Sequence, residues 1–137
     1  AHEVNQYQKK ISGPIMDRID LQIQVPRIKI TELIDNNNTE SSATVRERVV
    51  KARDLQAQRF GKKEKTNKEM SNQDLKTFCP LDQASWEMLR AASERLQLSA
   101  RACHRIIKVA RTIADLAGNE QIRTEHLAEA IQYRFNN

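Results

Sequence analysis

The alternation of apolar and polar positions is strongest between residues 98 and 118, where it predicts a helix with a marked start and end. Ser99 is a good N-cap, because its hydroxyl can accept a free N–H of the first turn. Gly118 stands where a chain leaves a helix with positive φ. The predicted apolar face comprises Cys103, Ile106, Ile107, Ala110, Ile113, Ala114 and Ala117. The opposite side carries Arg101, Arg105, Lys108, Arg111 and Asp115.

Upstream, a weaker apolar stripe predicts a long helix that follows residues 40–43 and is closed by Gly61. The positions of this stripe are Val45, Val49, Ala52, Leu55 or Gln56, and Phe60. Residues 62–70 are rich in charge and are interpreted as a mobile connector.

Three more helices are indicated by their first residues. Ser71 and Asp74 form a capping-box-like start for a short helix that stops before Pro80. Asp82 can cap the next helix, and a final helix begins near Thr124. Only three Gly and three Pro occur in 137 residues, which argues against the many turns of a sandwich or barrel. The sequence therefore predicts an all-α fold, a compact helical bundle over residues 41–135.

Residues 19–25 follow a different period, because apolar residues alternate there with polar ones, as in a strand with one buried face. The apolar members are Ile19, Leu21, Ile23 and Val25. No second convincing strand is found, and one strand cannot satisfy its own N–H and C=O groups. We therefore expect residues 1–38 to be a loosely ordered remnant of a larger sheet. The first residue is Ala1 rather than Met, so we expect the chain to be a piece of a longer one.

Arg101 is unexpected in the first turn of its predicted helix, because the helix dipole disfavours a cation there. It is either a surface arginine whose long side chain avoids the dipole, or an arginine held beside free N–H groups to meet an anion such as phosphate. Periodicity does not choose between these interpretations.

The formal net charge is +5, and residues 44–69 contain nine Lys or Arg against four acidic residues. Such a surplus is typical of a nucleic-acid surface or, more often, of a solvated helix face followed by a loop. The second interpretation is favoured.

Motifs for catalysis are missing from the sequence, which has no GxxxxGK[ST], GxSxG or HExxH. Cys79 and Cys103 lack partners at metal-ligand spacing and are interpreted as reduced, partly buried side chains. No apolar run approaches the length of a membrane span. We expect no metal site and no obvious reaction from this chain alone.

Three stretches resemble one protein family: ISGPIMDRIDL at 11–21, the residues ESS, RERV and AR between 40 and 53, and LSARA with HRI and ARTIADL at 98–116. They are similar to the magnesium-chelatase-like AAA+ ATPases of the ComM/YifB type, which are bacterial. ARTIADL after LSARA is the most specific part. The resemblance covers nearly the whole chain and implies that the bundle is the C-terminal lid domain, and that residues 19–25 are the last strand of the AAA+ core.

By the same resemblance, Arg18 is expected to be the arginine finger, which reaches the γ-phosphate bound in a neighbouring subunit. Arg101 is expected to be sensor 2, which contacts the nucleotide phosphates. Arg105 and Arg111 are interpreted as surface or salt-bridge residues. The implied cofactor is ATP with Mg²⁺ in the complete protein. None is expected tightly bound to this chain, since the P-loop, Walker B acids and sensor 1 are missing from it.

The implied partners are the rest of the AAA+ core, neighbouring subunits of a hexameric ring in the bacterial cytoplasm, and DNA, with branch migration during transformation as the expected work. Chelatase activity is less expected than work on DNA, and no membrane partner is expected. The alternative is a binding module in which residues 44–69 bind DNA or the bundle docks a protein. That alternative predicts salt-sensitive DNA binding which weakens when Lys62, Lys63 and Lys65 are neutralised.

Overall fold

The computed structural model describes residues 18–27 and 40–134. It forms α1 (Ser42–Phe60), a 3-10 helix (Asn67–Glu69), α2 (Asn72–Phe78), α3 (Gln83–Leu96), α4 (Ala100–Leu116) and α5 (Thr124–Gln132). No β-strand occurs within the described ranges, and the predicted all-α bundle is confirmed. Among the helices of these ranges, none combines the length and the apolar character that crossing a bilayer requires.

Helix α4 is central, because it contacts α1, α2, α5 and the 3-10 helix. Its predicted apolar stripe is largely confirmed, since Ile106 is 1% exposed and both Ala110 and Ala114 are fully buried. Alanines at these positions let neighbouring helices approach closely. Cys103 and Ile113 are half-buried at the edge of the same stripe. The apolar core is aliphatic and lies mainly between α4 and the helices around it.

Both predicted ends of α4 are confirmed. The Ser99 hydroxyl accepts the N–H of Ala102 at 3.2 Å. Gly118 has a φ of 71°, and the next N–H, of Asn119, donates to the carbonyl of Ala114 at 2.8 Å. This six-to-one bond is the signature of a Schellman motif, which satisfies carbonyls of the last turn.

The starts of α2 and α3 are also as predicted. Ser71 and Asp74 form a reciprocal capping box, with bonds of 3.1 and 2.9 Å. The Asp82 carboxylate accepts the N–H of Ser85 at 2.7 Å. The last helix begins at Thr124, where the sequence placed it.

The interpretation of residues 62–70 as a mobile connector is wrong for residues 65–70, and for residues 62–64, which are exposed, it stays a prediction. Thr66 and Glu69 form a capping box around the 3-10 helix, which the sequence analysis did not predict. Asn67 is 2% exposed and Met70 is 4% exposed, so this segment is packed into the bundle. Buried polar and apolar side chains, rather than local propensity, hold it there.

Helix α1 packs through its C-terminal half. Ala52 and Gln56 are buried, whereas residues 42–51 are all exposed. The predicted stripe continues through Val45 and Val49, which are 38% and 46% exposed. The first half of α1 therefore presents its apolar stripe without a covering element among the described residues.

Residues 18–27 follow the bundle surface in irregular backbone. The structure gives no strand at 19–25, because a strand needs a neighbour with which to form a ladder and no described segment provides one. The predicted apolar face is uncovered, with exposures rising from 39% at Ile19 to 85% at Val25. The remainder of the predicted 1–38 unit, residues 1–17 and 28–38, lies outside the described residues. Its looseness and the boundary between 38 and 41 stay predictions.

Candidate functional site

Arg101 is the second residue of α4 and is exposed. Its side chain forms no hydrogen bond or ion pair within 18–27 and 40–134, and the first turn contains no acidic residue. The Ser99 cap takes one N–H of this turn, while those of Ala100 and Arg101 have no acceptor in the described part of the chain. Free N–H groups, the positive end of the helix dipole and a guanidinium therefore coincide at this end of α4.

Arg18 lies in a turn that is bound to the same helix. Arg105 donates from Nη1 to the Arg18 carbonyl at 2.7 Å and to Asp20 Oδ1 at 2.5 Å. The Arg18 residue itself is exposed. The interpretation of Arg105 as a salt-bridge residue is thus confirmed.

Arg101 and Arg105 are four residues apart, so they lie on the same side of α4 and about 6 Å apart along its axis. Because Arg105 contacts the backbone of Arg18, the Arg18 turn lies beside the first two turns of α4. The structure thereby brings the two predicted site residues, Arg18 and Arg101, to one end of the bundle.

Arg111 and Asp115 lie on the other flank of α4. Their place on the predicted polar side suggests that they are solvated, but both are buried. Arg111 is 1% exposed and Asp115 is 2% exposed. Arg111 bonds Asp115 at 3.1 Å and also donates to the carbonyls of Asn119 and Glu120. Its salt-bridge interpretation is therefore confirmed. Burial lowers the pKa of the Arg111 guanidinium, and the Asp115 carboxylate opposes that shift.

The same carboxylate binds two other elements. Arg59 of α1 donates to Asp115 at 2.9 and 2.5 Å, and Asn67 of the 3-10 helix donates to it at 2.8 Å. Asn67 also accepts from Arg59 and donates to Thr112. This buried network was missed by the sequence analysis, although the i,i+4 spacing of Arg111 and Asp115 was a usable signal.

Several cations of residues 44–69 are engaged inside the protein. Arg59 belongs to the buried network, and Lys65 binds Asp74 at 2.8 Å while its Nζ lies 4.7 Å from the Phe60 ring centroid. Arg48 pairs with Glu40 at 2.9 Å. These contacts reduce the number of charges that a nucleic acid could use.

The described residues fit phosphate better than a metal ion. Arg101 and the free N–H groups beside it suit an anion. In the same part of the chain, no three His, Cys, Asp or Glu side chains converge as metal ligands.

Comparison with known proteins identifies the family of the chain. Residues 39–134 match the family described as "Magnesium chelatase, subunit ChlI C-terminal", and residues 1–33 match "Magnesium chelatase, subunit ChlI". The chain belongs to this magnesium-chelatase family. Within it, the sequence is of the ComM/YifB type, and the bundle is the lid domain of a magnesium-chelatase-like AAA+ protein.

Three relatives in this family illustrate the match. Competence protein ComM of Haemophilus influenzae is 42% identical over 133 residues, which cover 96% of this chain and 26% of the relative. YifB of Escherichia coli is 37% identical over 130 residues, with coverage of 93% and 25%. A Mycobacterium bovis protein, Mb2921c, is 36% identical over 129 residues, with the same coverage. The chain thus spans about a quarter of the length of these relatives.

Proposed function

We propose that this bundle senses nucleotide in a magnesium-chelatase-like AAA+ ATPase, with Arg101 as sensor 2. The observation that carries the proposal is the exposed Arg101 guanidinium at the positive end of α4, next to free N–H groups. A buried-core helix gains nothing in stability from a cation at this position, because the dipole opposes it. A bound phosphate chain would turn the same arrangement into an attractive one.

Arg18 is proposed to be the arginine finger of the same ATPase. Its side chain is exposed, and its turn is bound to α4 close to Arg101. When ATP and Mg²⁺ are bound, they supply the phosphoryl group and the metal charge. Arg18 would stabilise the charge that develops in the transition state, and Arg101 would hold the phosphates. An arginine finger acts on a neighbour's nucleotide, so the proposal includes a ring, hexameric by resemblance, in the bacterial cytoplasm.

ATP turnover by the full-length protein tests this function. Arg18→Ala is expected to lower kcat with little change in KM, because it acts only in the transition state. Because the proposed finger acts on a neighbouring subunit's nucleotide, mixing Arg18→Ala subunits with subunits whose own nucleotide site has been inactivated should restore part of the turnover, since each subunit supplies what the other lacks. Full turnover by Arg18→Ala alone, or no recovery in the mixture, contradicts the proposal.

Work on DNA is proposed for the complete protein on its resemblance to the ComM type. Direct DNA binding by residues 44–69 is less favoured, because Arg59 and Lys65 are held by internal partners. DNA-stimulated turnover that survives neutralisation of Lys62 and Lys63 would favour a DNA site elsewhere in the protein. Loss of stimulation in those variants, with a reduced salt dependence, would favour the basic segment.

A further inference from the structure

Residues 18–22 are attached to the bundle by polar contacts. Arg105 binds the Arg18 carbonyl and the Asp20 carboxylate, and Arg134 donates to the Ile19 carbonyl at 3.2 Å. The N–H of Gln22 donates to the Tyr133 carbonyl at 2.6 Å. These bonds join the segment both to α4 and to the turn that follows α5.

Apolar burial is incomplete along this segment. Ile19, Leu21 and Ile23 are 39%, 50% and 64% exposed, so the bundle covers each of them only in part. The Arg105 side chain is 23% exposed and is more covered than any of these three, while the Asp20 side chain is 42% exposed. A charge-assisted pair of this geometry fixes the direction of the backbone more strictly than partly exposed aliphatic contacts do.

Helix α4 has the rigidity to transmit a displacement through this pair. Its buried stripe packs on several elements, and Asp115 near its other end is bound by Arg59 and Arg111. Arg105 lies one turn after Arg101. A movement of α4 that begins at Arg101 would therefore carry Arg105, and with it the backbone of Arg18.

We propose that Arg105 is a positioning residue that ties the Arg18 turn to α4, so that the two phosphate-directed arginines move as one unit. This inference rests on the proposed function of Arg18 and Arg101. Asp20 is the second half of the tie, since its carboxylate holds the guanidinium that binds the Arg18 carbonyl. Arg105 itself does not contact nucleotide in this proposal.

The test uses ATP turnover by the full-length protein with Arg105→Gln and Asp20→Asn. Each is expected to lower kcat about tenfold, because small misplacement of a transition-state group is costly, while KM for ATP changes less than about twofold. The double variant Arg18→Ala/Arg105→Gln should be no slower than Arg18→Ala alone, since both changes remove one function. Arg105→Lys, which keeps the charge, should recover part of kcat.

Arg90→Gln is the matched control, because Arg90 is an exposed arginine within α3 and forms no ion pair in the described part of the chain. It should leave kcat unchanged. Two results would overturn the positioning role of Arg105 while the proposed function stands. In the first, Arg18→Ala lowers kcat but Arg105→Gln does not. In the second, the two losses multiply in the double variant.

If Arg18→Ala leaves kcat unchanged, the proposed function fails instead. The attachment of the Arg18 turn by Arg105 is then tested in the 137-residue chain. Amide exchange of Gln22, followed by NMR, should accelerate about fivefold in Arg105→Gln and not in Arg90→Gln. Equal exchange in wild type and Arg105→Gln overturns the tie.

Discussion

Arg59 and Asp115 are 56 positions apart in sequence, yet Arg59 donates two hydrogen bonds to the Asp115 carboxylate, at 2.9 and 2.5 Å. The Asp115 side chain is 0% exposed and that of Arg59 is 13% exposed. Arg111 approaches the same carboxylate from within α4. One buried acid therefore pairs with two arginines and fastens α1 to the central helix.

Asp115→Ala is expected to destabilise the protein by about 3–5 kcal/mol, because it leaves Arg59 and Arg111 without their carboxylate in a buried site. Chemical denaturation measures this as a lower unfolding midpoint. Arg123→Ala is the control, since its ion pair with Glu125 is 65% and 66% exposed. The control should change stability by less than about 0.5 kcal/mol. A similarly small loss of unfolding free energy in both variants would show that the buried network contributes no more to stability than an exposed ion pair.

Asp74 is expected to make stability depend on acid pH. The hydrogen bond from Lys65, with help from the Ser71 N–H, lowers the pKa of Asp74 from 3.8 to about 2. The unfolded chain therefore binds more protons than the folded chain between these values. The stabilisation is complete above about pH 4 and is lost as pH falls through about 2. Asp74→Asn should remove this part of the pH dependence in denaturation series between pH 2 and 6. An unchanged pH profile in the variant would rule out this role.

The two cysteines are expected to differ in reactivity. Cys79 is 5% exposed, and burial raises the pKa of its thiol to about 11, so little thiolate exists at pH 8. Cys103 is half-buried on α4. An aromatic disulfide reagent should therefore modify Cys103 first and reach Cys79 only as the protein unfolds. In the Cys103→Ser variant, the remaining thiol of Cys79 should react with the reagent only as fast as the native protein unfolds. Rapid labelling of this variant under native conditions would contradict the burial of Cys79.

The sequence was sufficient where local signals decide the structure. The caps at Ser99, Ser71 and Asp82 and the glycine at 118 act within one turn, so their residue types predicted four helix boundaries that the structure contains. Arg101 was singled out by its position in the first turn of α4, whereas Arg18 and the roles of both residues came from family resemblance and are proposals.

Where long-range contacts decide the structure, the pattern was insufficient. The helical pattern predicts a polar side for Arg111 and Asp115 because periodicity reports polarity and not burial. Both residues can be buried because Arg59 and Asn67, which are distant in sequence, supply hydrogen-bond partners. The packing of residues 65–70 has no local signal for the same reason, since Asn67 is held by side chains from other elements. The tie between Arg105 and Asp20 spans 85 positions and has no local signature.

Nucleotide sensing by this bundle is best measured as ATP turnover by the full-length protein in which Arg101 is substituted. Arg101→Ala should lower turnover about tenfold or more, with an unchanged unfolding midpoint, because the side chain is exposed and forms no bond within the described residues. Arg101→Lys should retain part of the activity, and Arg90→Ala all of it. Turnover by Arg101→Ala equal to that of the wild type would contradict the account of this bundle as a nucleotide-sensing lid.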